Sequence, residues 1–247
     1  MALVLPQQAS LHFWFDGTSL VDGGGGVASA WNDLTANNFD LTPHNSPTIV
    51  TPAEFTTDLL AANFVRASTQ YFDRNAAGTP TWGGDQTTFA FINNEDHTAA
   101  ATTVFFDSEN GTGLSAAHFF GSGTNRPFSA FAGSSLISTF VSPFDGWALY
   151  AVNWNGASTD IYVNGIKSAT TATSGAQTAE GIRLGTQRGA PGNSFDGQIA
   201  EAGAYNNVLL TATEHKELAG YMFQKYFGQA QAGGGGLRLV GHGGLAA

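Results

Sequence analysis

Trp82-Gly-Gly-Asp85 and Asn125-Arg126 are the residues of this 247-residue chain whose types and setting suit chemistry best. Both lie in glycine-marked, loop-like stretches. An aromatic plate beside amides and a carboxylate is the side-chain set that holds a sugar, the ring covering the apolar face and the polar groups taking hydroxyls. Trp82 has a plainer reading as the cap of a sheet edge. The six histidines (12, 44, 97, 118, 215, 242) are scattered, with no pair at metal-ligand spacing on a helix. His118, between alanines and phenylalanines, reads as a sheet residue. Hard cations want several oxygen ligands. Asp73, Asp85, Asp96 and Asp107 lie in or beside loops, and Glu95-Asp96 is the nearest thing to an acidic run. Solvated loop carboxylates are therefore the expectation, with calcium the alternative and no other cofactor implied. Gly23 to Gly26 lacks the following Lys-Ser/Thr of a phosphate loop and reads as a plain loop.

The elements that must position these residues are mostly strands. Trp147-Ala-Leu-Tyr-Ala-Val-Asn-Trp154 alternates and is followed by Asn155-Gly156, and Asp160-Ile-Tyr-Val163 alternates again into Asn164-Gly165. Asn-Gly between apolar runs marks a hairpin, because both residues tolerate the positive φ of a type I′ turn. Further strands are expected at Leu11 to Phe15, at Thr48 to Thr51 (an edge strand between Pro47 and Pro52), at Thr87 to Asn93 and at Thr102 to Asp107. Ala117 to Phe120, Phe128 to Phe131, Leu136 to Phe140, Ile182 to Gly185 and Gly197 to Tyr205 follow, while Trp31 to Leu34 and Asn38 to Leu41 read as short strand and turn. Turn signals every 8–12 residues or so are the cadence of a sandwich. Trp14, Trp31 and Trp147 fall in strand-like stretches and are expected in the core. One helix is expected, from Thr211 to Phe227, with a Thr211/Glu214 capping box, an apolar face of Leu218, Tyr221, Met222 and Tyr226, and a stop at Gly228.

Composition narrows the partners. Only 11% of residues are charged, well below the usual quarter or so. The 32 glycines suit short strands and many turns. A surface made of hydroxyls and amides favours hydrogen-bonding partners over ionic ones. Net charge is −10 with nine basic residues and no basic run, which disfavours nucleic acid. No apolar run reaches the roughly 18 residues of a membrane span. Met1-Ala-Leu-Val-Leu-Pro6 is too short and too poor in basic residues for a secretory signal. The absence of cysteine excludes disulfides and thiolate metal sites.

Several stretches in order resemble the concanavalin A-like lectin/glucanase superfamily in its laminin G-type branch. They are Leu11-His-Phe-Trp-Phe-Asp16, Trp31-Asn-Asp-Leu-Thr35, Asn38-Phe-Asp-Leu41, Ala67-Ser-Thr-Gln-Tyr-Phe72, Gly146-Trp147, Tyr162-Val-Asn-Gly165 and Ile182-Arg-Leu-Gly185. Phe195-Asp-Gly-Gln-Ile-Ala-Glu-Ala-Gly-Ala-Tyr205 and Leu209-Leu-Thr-Ala-Thr-Glu214 close the series. The resemblance covers roughly residues 10 to 228 and implies an all-β fold: a jelly roll of two antiparallel sheets with first and last strands side by side, plus the short C-terminal helix. Laminarinase-type members carry Glu-x-Asp-x-x-Glu on one strand, so that acid and nucleophile share a face. None of the glutamates here (54, 95, 109, 180, 201, 214, 217) has an aspartate two residues on, so catalysis of that kind is not expected.

These readings divide the chain into a sandwich, 1–228, and a tail, 229–247, whose four glycines tether Leu237, Arg238, Leu239 and Val240. Such a tail needs a neighbouring subunit to order it, across which it would add a strand. A sandwich without signal or cysteine, carrying an assembly tail, fits a structural or decorating protein of a virion, most plausibly of a tailed bacteriophage. It would be a homo-oligomer among other virion subunits, able to bind host glycans. A free extracellular carbohydrate-binding module is the alternative, and a glycoside hydrolase is less favoured.

Overall fold

The computed structural model describes residues 3–56, 58–74, 81–95, 102–108, 117–121, 127–131, 135–137, 146–155, 159–172, 178–187 and 191–228. Its strands are β1 Leu11–Asp16, β2 Leu20–Asp22, β3 Ala28–Trp31, β4 Thr42–His44, β5 Thr48–Val50, β6 Ala61–Phe64, β7 Tyr71–Arg74, β8 Thr81–Gly83, β9 Gln86–Asn94 and β10 Thr103–Asp107. They continue with β11 Ala117–Phe120, β12 Phe128–Phe131, β13 Ser135–Ile137, β14 Trp147–Trp154, β15 Thr159–Val163, β16 Ile166–Ala172, β17 Thr178–Glu180, β18 Ile182–Leu184 and β19 Gly197–Asn206. One helix, α1 Ala212–Phe227, ends the described chain.

Two large sheets form an all-β antiparallel sandwich. The eight-stranded sheet runs β16-β15-β14-β9-β19-β6-β5, with β1 also on β19; the seven-stranded sheet runs β13-β12-β11-β10-β18-β7-β4. Strand β19 is long enough to serve two partners along one edge. Its first residues, Gly197 to Ile199, pair with β6, and Glu201 to Tyr205 pair with β1. The first and last strands therefore lie side by side, as the family resemblance implies. β5 takes the sheet edge expected of a strand between two prolines.

Alternation sorts the side chains of the eight-stranded sheet into two cores. From β9 and β14, Ala90, Ile92, Ala148, Tyr150, Val152 and Trp154 point between the sheets, where they meet Phe105, Phe120 and Phe128 of the other layer. Phe89, Phe91, Trp147, Leu149 and Ala151 point the opposite way and pack under α1. Both faces of this sheet are dry, which is why its central strands read as almost unbroken apolar runs.

Two signals in the sequence act as written. Asn164 and Gly165 have φ of 49° and 76°, the pair of positive values that a type I′ turn requires. At the start of α1, Thr211 Oγ1 accepts from the Glu214 N–H at 3.2 Å while Glu214 Oε2 accepts from the Thr211 N–H at 2.7 Å. Gly228 ends the helix in the left-handed region. The expected apolar face of Leu218, Tyr221, Met222 and Tyr226 is buried. Trp31 and Trp147 are buried as expected. Trp14 is not: it is half-buried on β1, with its indole N–H donating to Glu201 Oε1 at 2.7 Å.

Candidate functional site

Among the described residues, α1 covers the outer face of the eight-stranded sheet, and on the outer face of the seven-stranded sheet partly exposed side chains stand beside the buried Asp107, Ala117 and Ser129. On β7, Phe72 faces the core, and alternation turns Tyr71 and Asp73 outward. On β18, Ile182 and Leu184 are core and Arg183 faces out. Cross-strand register then brings these residues into a row. Thr42 pairs with Asp73, Asp73 with Arg183, and Arg183 with Asp107, while His44 sits beside Tyr71.

The row is held rigidly. Arg183 Nη2 donates to Asp73 Oδ2 at 2.7 Å, and His44 Nε2 lies 2.9 Å from Asp73 Oδ1. The His44 ring stacks on Tyr71 at 4.4 Å and 12°, and the Arg183 guanidinium sits 4.4 Å from the same ring centroid. Tyr71 is thus clamped between neighbours from the strands on either side of its own. Cation–π contact and a charge-assisted ion pair act on the same guanidinium, fixing its plane. Asp73 and Arg183 keep only 10% and 12% of their side-chain surface exposed, whereas His44 keeps 39% and presents a free ring edge.

Further along the same face, Phe119 of β11 and Phe131 of β12 are half-buried outside the inter-sheet core, flanking Ser129. One half of the sheet is therefore polar and the other aromatic. Arg183 and Phe119 stand two strand spacings apart and at least two residues out of line along the strands, roughly 12 Å. An arrangement of this kind can seat a ligand with apolar ring faces and polar edges. Asp73 and Asp107 stand about two strand spacings apart, roughly 10 Å, with Arg183 on the strand between them.

The residues singled out from sequence stand elsewhere or beyond description. Trp82 pairs through its backbone with Ala179 in a two-stranded ribbon, β8 with β17, next to the Ile182–Arg74 end of the seven-stranded sheet. Asp85 is exposed at the bend between β8 and β9. Asn125, Arg126 and the tail residues Leu237, Arg238, Leu239 and Val240 lie outside the described residues, as does Asp96. The remaining carboxylates considered for calcium are engaged separately: Asp73 with Arg183 and His44, and Glu95 with the Gln198 side-chain amide at 2.8 Å. Burial pushes the Glu95 carboxyl above its usual range, with Asp196 adding to the effect. Asp107 is buried in the sheet. His44, Tyr71 and Arg183 were not anticipated. The signal was present as period-2 patterning: a lone arginine between Ile182 and Leu184, and Tyr71 and Asp73 flanking Phe72.

Comparison with known proteins agrees with this architecture. A family model of the laminin G type, described as the Concanavalin A-like lectin/glucanases superfamily, matches residues 66–214. The chain belongs to that superfamily. Among curated proteins, no sequence matches it. Among solved structures, domain 4 of AbnA, a GH43 extracellular arabinanase from Geobacillus stearothermophilus, in complex with arabinotriose, is similar with a TM-score of 0.55 and 15% identity, over 85% of this chain and 98% of that one. The binding domain of Paraclostridial Mosquitocidal Protein 1 is similar with a TM-score of 0.63 and 13% identity, over 87% of this chain and 53% of that one. Trypanosoma rangeli sialidase in complex with sialic acid follows at 0.60 and 15%, over 90% of this chain and 34% of that one. The chain thus spans about half of the second and a third of the third.

Proposed function

We propose that this domain is a non-catalytic carbohydrate-binding module that seats a sugar against the partly exposed His44, Tyr71 and Arg183 side chains of its seven-stranded sheet. The observation that carries the reading is the clamped row His44–Tyr71–Arg183 with Asp73 beneath it, facing Phe119 and Phe131 across the same sheet. Both faces of Tyr71 are taken by His44 and Arg183, so Phe119 and Phe131 are the rings to take the apolar face of a pyranose or furanose, while the groups that Tyr71 holds in place take its hydroxyls without a further ordering cost. Two of the similar structures, named for complexes with arabinotriose and with sialic acid, add support by analogy. Asp85, exposed at the bend before β9, is a further candidate contact.

A glycan array followed by calorimetry on the purified protein tests it, with arabino-oligosaccharides and sialylated glycans included. Wild type should bind at least one class, and Tyr71→Ala should weaken binding tenfold or more. Wild type that binds no glycan would overturn the reading, and release of reducing sugar would overturn its non-catalytic part. The virion-borne form is a separate proposal resting on the four-glycine tether and residues 237–240. It expects the full chain, and not one truncated after residue 228, to enter particles.

A further inference from the structure

Away from the seven-stranded sheet, a second set of reactive groups is buried beneath α1. Lys225 Nζ lies 2.7 Å from Asp16 Oδ2, 2.7 Å from Glu201 Oε2 and 3.1 Å from the Tyr221 hydroxyl. Side-chain exposure is 12% for Lys225, 6% for Asp16 and 0% for Glu201. The rings of Trp14, Tyr221 and Tyr226 stand 5.6, 5.3 and 5.2 Å from Nζ and keep bulk water away. Asp16 and Glu201 are direct cross-strand partners on β1 and β19.

We propose that Lys225 and Asp16 condense into an intramolecular amide bond, with Glu201 relaying the protons. The two carboxyl groups are equipped differently, and this assigns their roles. Asp16 Oδ1 is held by two donors, the Thr18 N–H at 2.8 Å and the Thr18 hydroxyl at 2.6 Å, which would stabilise the negative charge of a tetrahedral intermediate. Asp16 Oδ2, the oxygen that must leave, faces the amine. Glu201 is fixed by the Trp14 indole N–H at 2.7 Å and the Tyr226 hydroxyl at 2.9 Å, and it touches Lys225 on its remaining side.

A hydrogen bond of that length from amine to carboxyl oxygen places Nζ roughly 3.5 Å from the carboxyl carbon, the near-attack range. The step balances as follows. The ammonium passes a proton to Glu201, the free amine adds to Asp16 Cγ, and the C–Oδ2 bond breaks. The two protons lost by nitrogen pass through Glu201 to Oδ2, which departs as water, and Glu201 returns to its starting state. One ammonium and one carboxylate become one neutral amide. Burial and the adjacent Asp16 carboxylate push Glu201 above the usual carboxylate range, even against Lys225, so it is a competent proton acceptor. Burial alone would lower Lys225, but Glu201 and Asp16 override it and hold the resting amine protonated, so a relay is required. Amide formation is uphill in water; here fixed geometry replaces a bimolecular encounter, and the product removes two charges from a site where charge is costly to bury.

The bond would join groups 209 residues apart, tying the first strand to the final helix. Intact-mass spectrometry of the full folded chain tests the proposal. The expected result is a species lighter by one water, about 18 Da, and a tryptic species linking the peptides that contain Asp16 and Lys225. Lys225→Arg and Glu201→Gln, each checked for folding by circular dichroism, should both show the uncondensed mass. Wild type at the full sequence mass would overturn the proposal. So would a loss that persists in Lys225→Arg, which marks cyclisation at Asp16-Gly17, or a link mapped to Glu201.

Discussion

Acid should destabilise this fold at an unusually high pH, because two histidines are buried neutral. His118 is fully buried among the rings of Phe105, Phe106, Phe128 and Trp154, with Nε2 2.6 Å from Thr88 Oγ1. His215 is buried under α1, stacked on Tyr162 at 3.5 Å with Nε2 3.0 Å from Asn153 Oδ1. Among the described residues, neither Nδ1 has a partner. Burial pushes each ring down to about 3. In the unfolded chain both titrate near 6.5, so between those values the unfolded state binds the extra protons. The stability these neutral histidines confer is complete above about pH 6.5 and drains away toward pH 3. From pH 7 to pH 5, linkage gives a loss of about 2 kcal/mol per histidine, or about 4 for the pair, against a total of about 5–15 kcal/mol for an ordinary domain. Glu201, whose carboxyl is shifted upward, acts with the opposite sign, so the decisive measurement is a difference between variants. Urea denaturation followed by tryptophan fluorescence at pH 7 and pH 5 should show His118→Gln losing about 2 kcal/mol less than wild type over that interval. An identical pH slope in the two proteins would refute the reasoning.

Three other perturbations have defined outcomes. Lys225→Met leaves Asp16 and Glu201 buried and facing each other, and denaturant melts should show a loss of about 3–5 kcal/mol, partly recovered by adding Glu201→Gln. Gly203→Ala places a methyl 2.6 Å from the Phe89 ring and 3.0 Å from the Phe13 carbonyl oxygen, where β1 and β9 press on β19. It should cost about 1–3 kcal/mol, read in a thermal scan as a fall of roughly 2–4 °C per kcal/mol. Thr211→Ala removes one half of the capping box and should cost about 1 kcal/mol in the same scan.

The elements whose signals are local were legible in the sequence. The Asn164-Gly165 turn, the Thr211/Glu214 cap and the strand from Trp147 to Trp154 each rest on residues close together in the chain, and each stands in the structure, though that strand is buried on both faces rather than on alternate residues. The register of the seven-stranded sheet does not. Nothing within a few residues of Arg183 announces that Asp73, 110 positions away, will meet it. Glu201 is a similar case: in the sequence it is flanked only by Ala200 and Ala202, and only the return of α1 supplies Lys225. Trp14 was misplaced for the same reason. Its strand alternates like a core strand, but its face meets the helix rim, where an indole N–H can reach a carboxylate. Short strands such as β4, β8 and β17 escaped because three residues carry too little pattern to separate them from loops.

The pairing of β1 with β19 bears on how the chain emerges from the ribosome. Leu11 to Asp16 cannot find their partner until Glu201 to Tyr205 have been made, so the first strand of the sandwich waits for the last. At cellular synthesis rates that interval is on the order of 10–40 s. For all of it Phe13 and Phe15 have no sheet to join, and a nascent chain with an apolar unpaired edge is open to capture by chaperones or by other copies of itself.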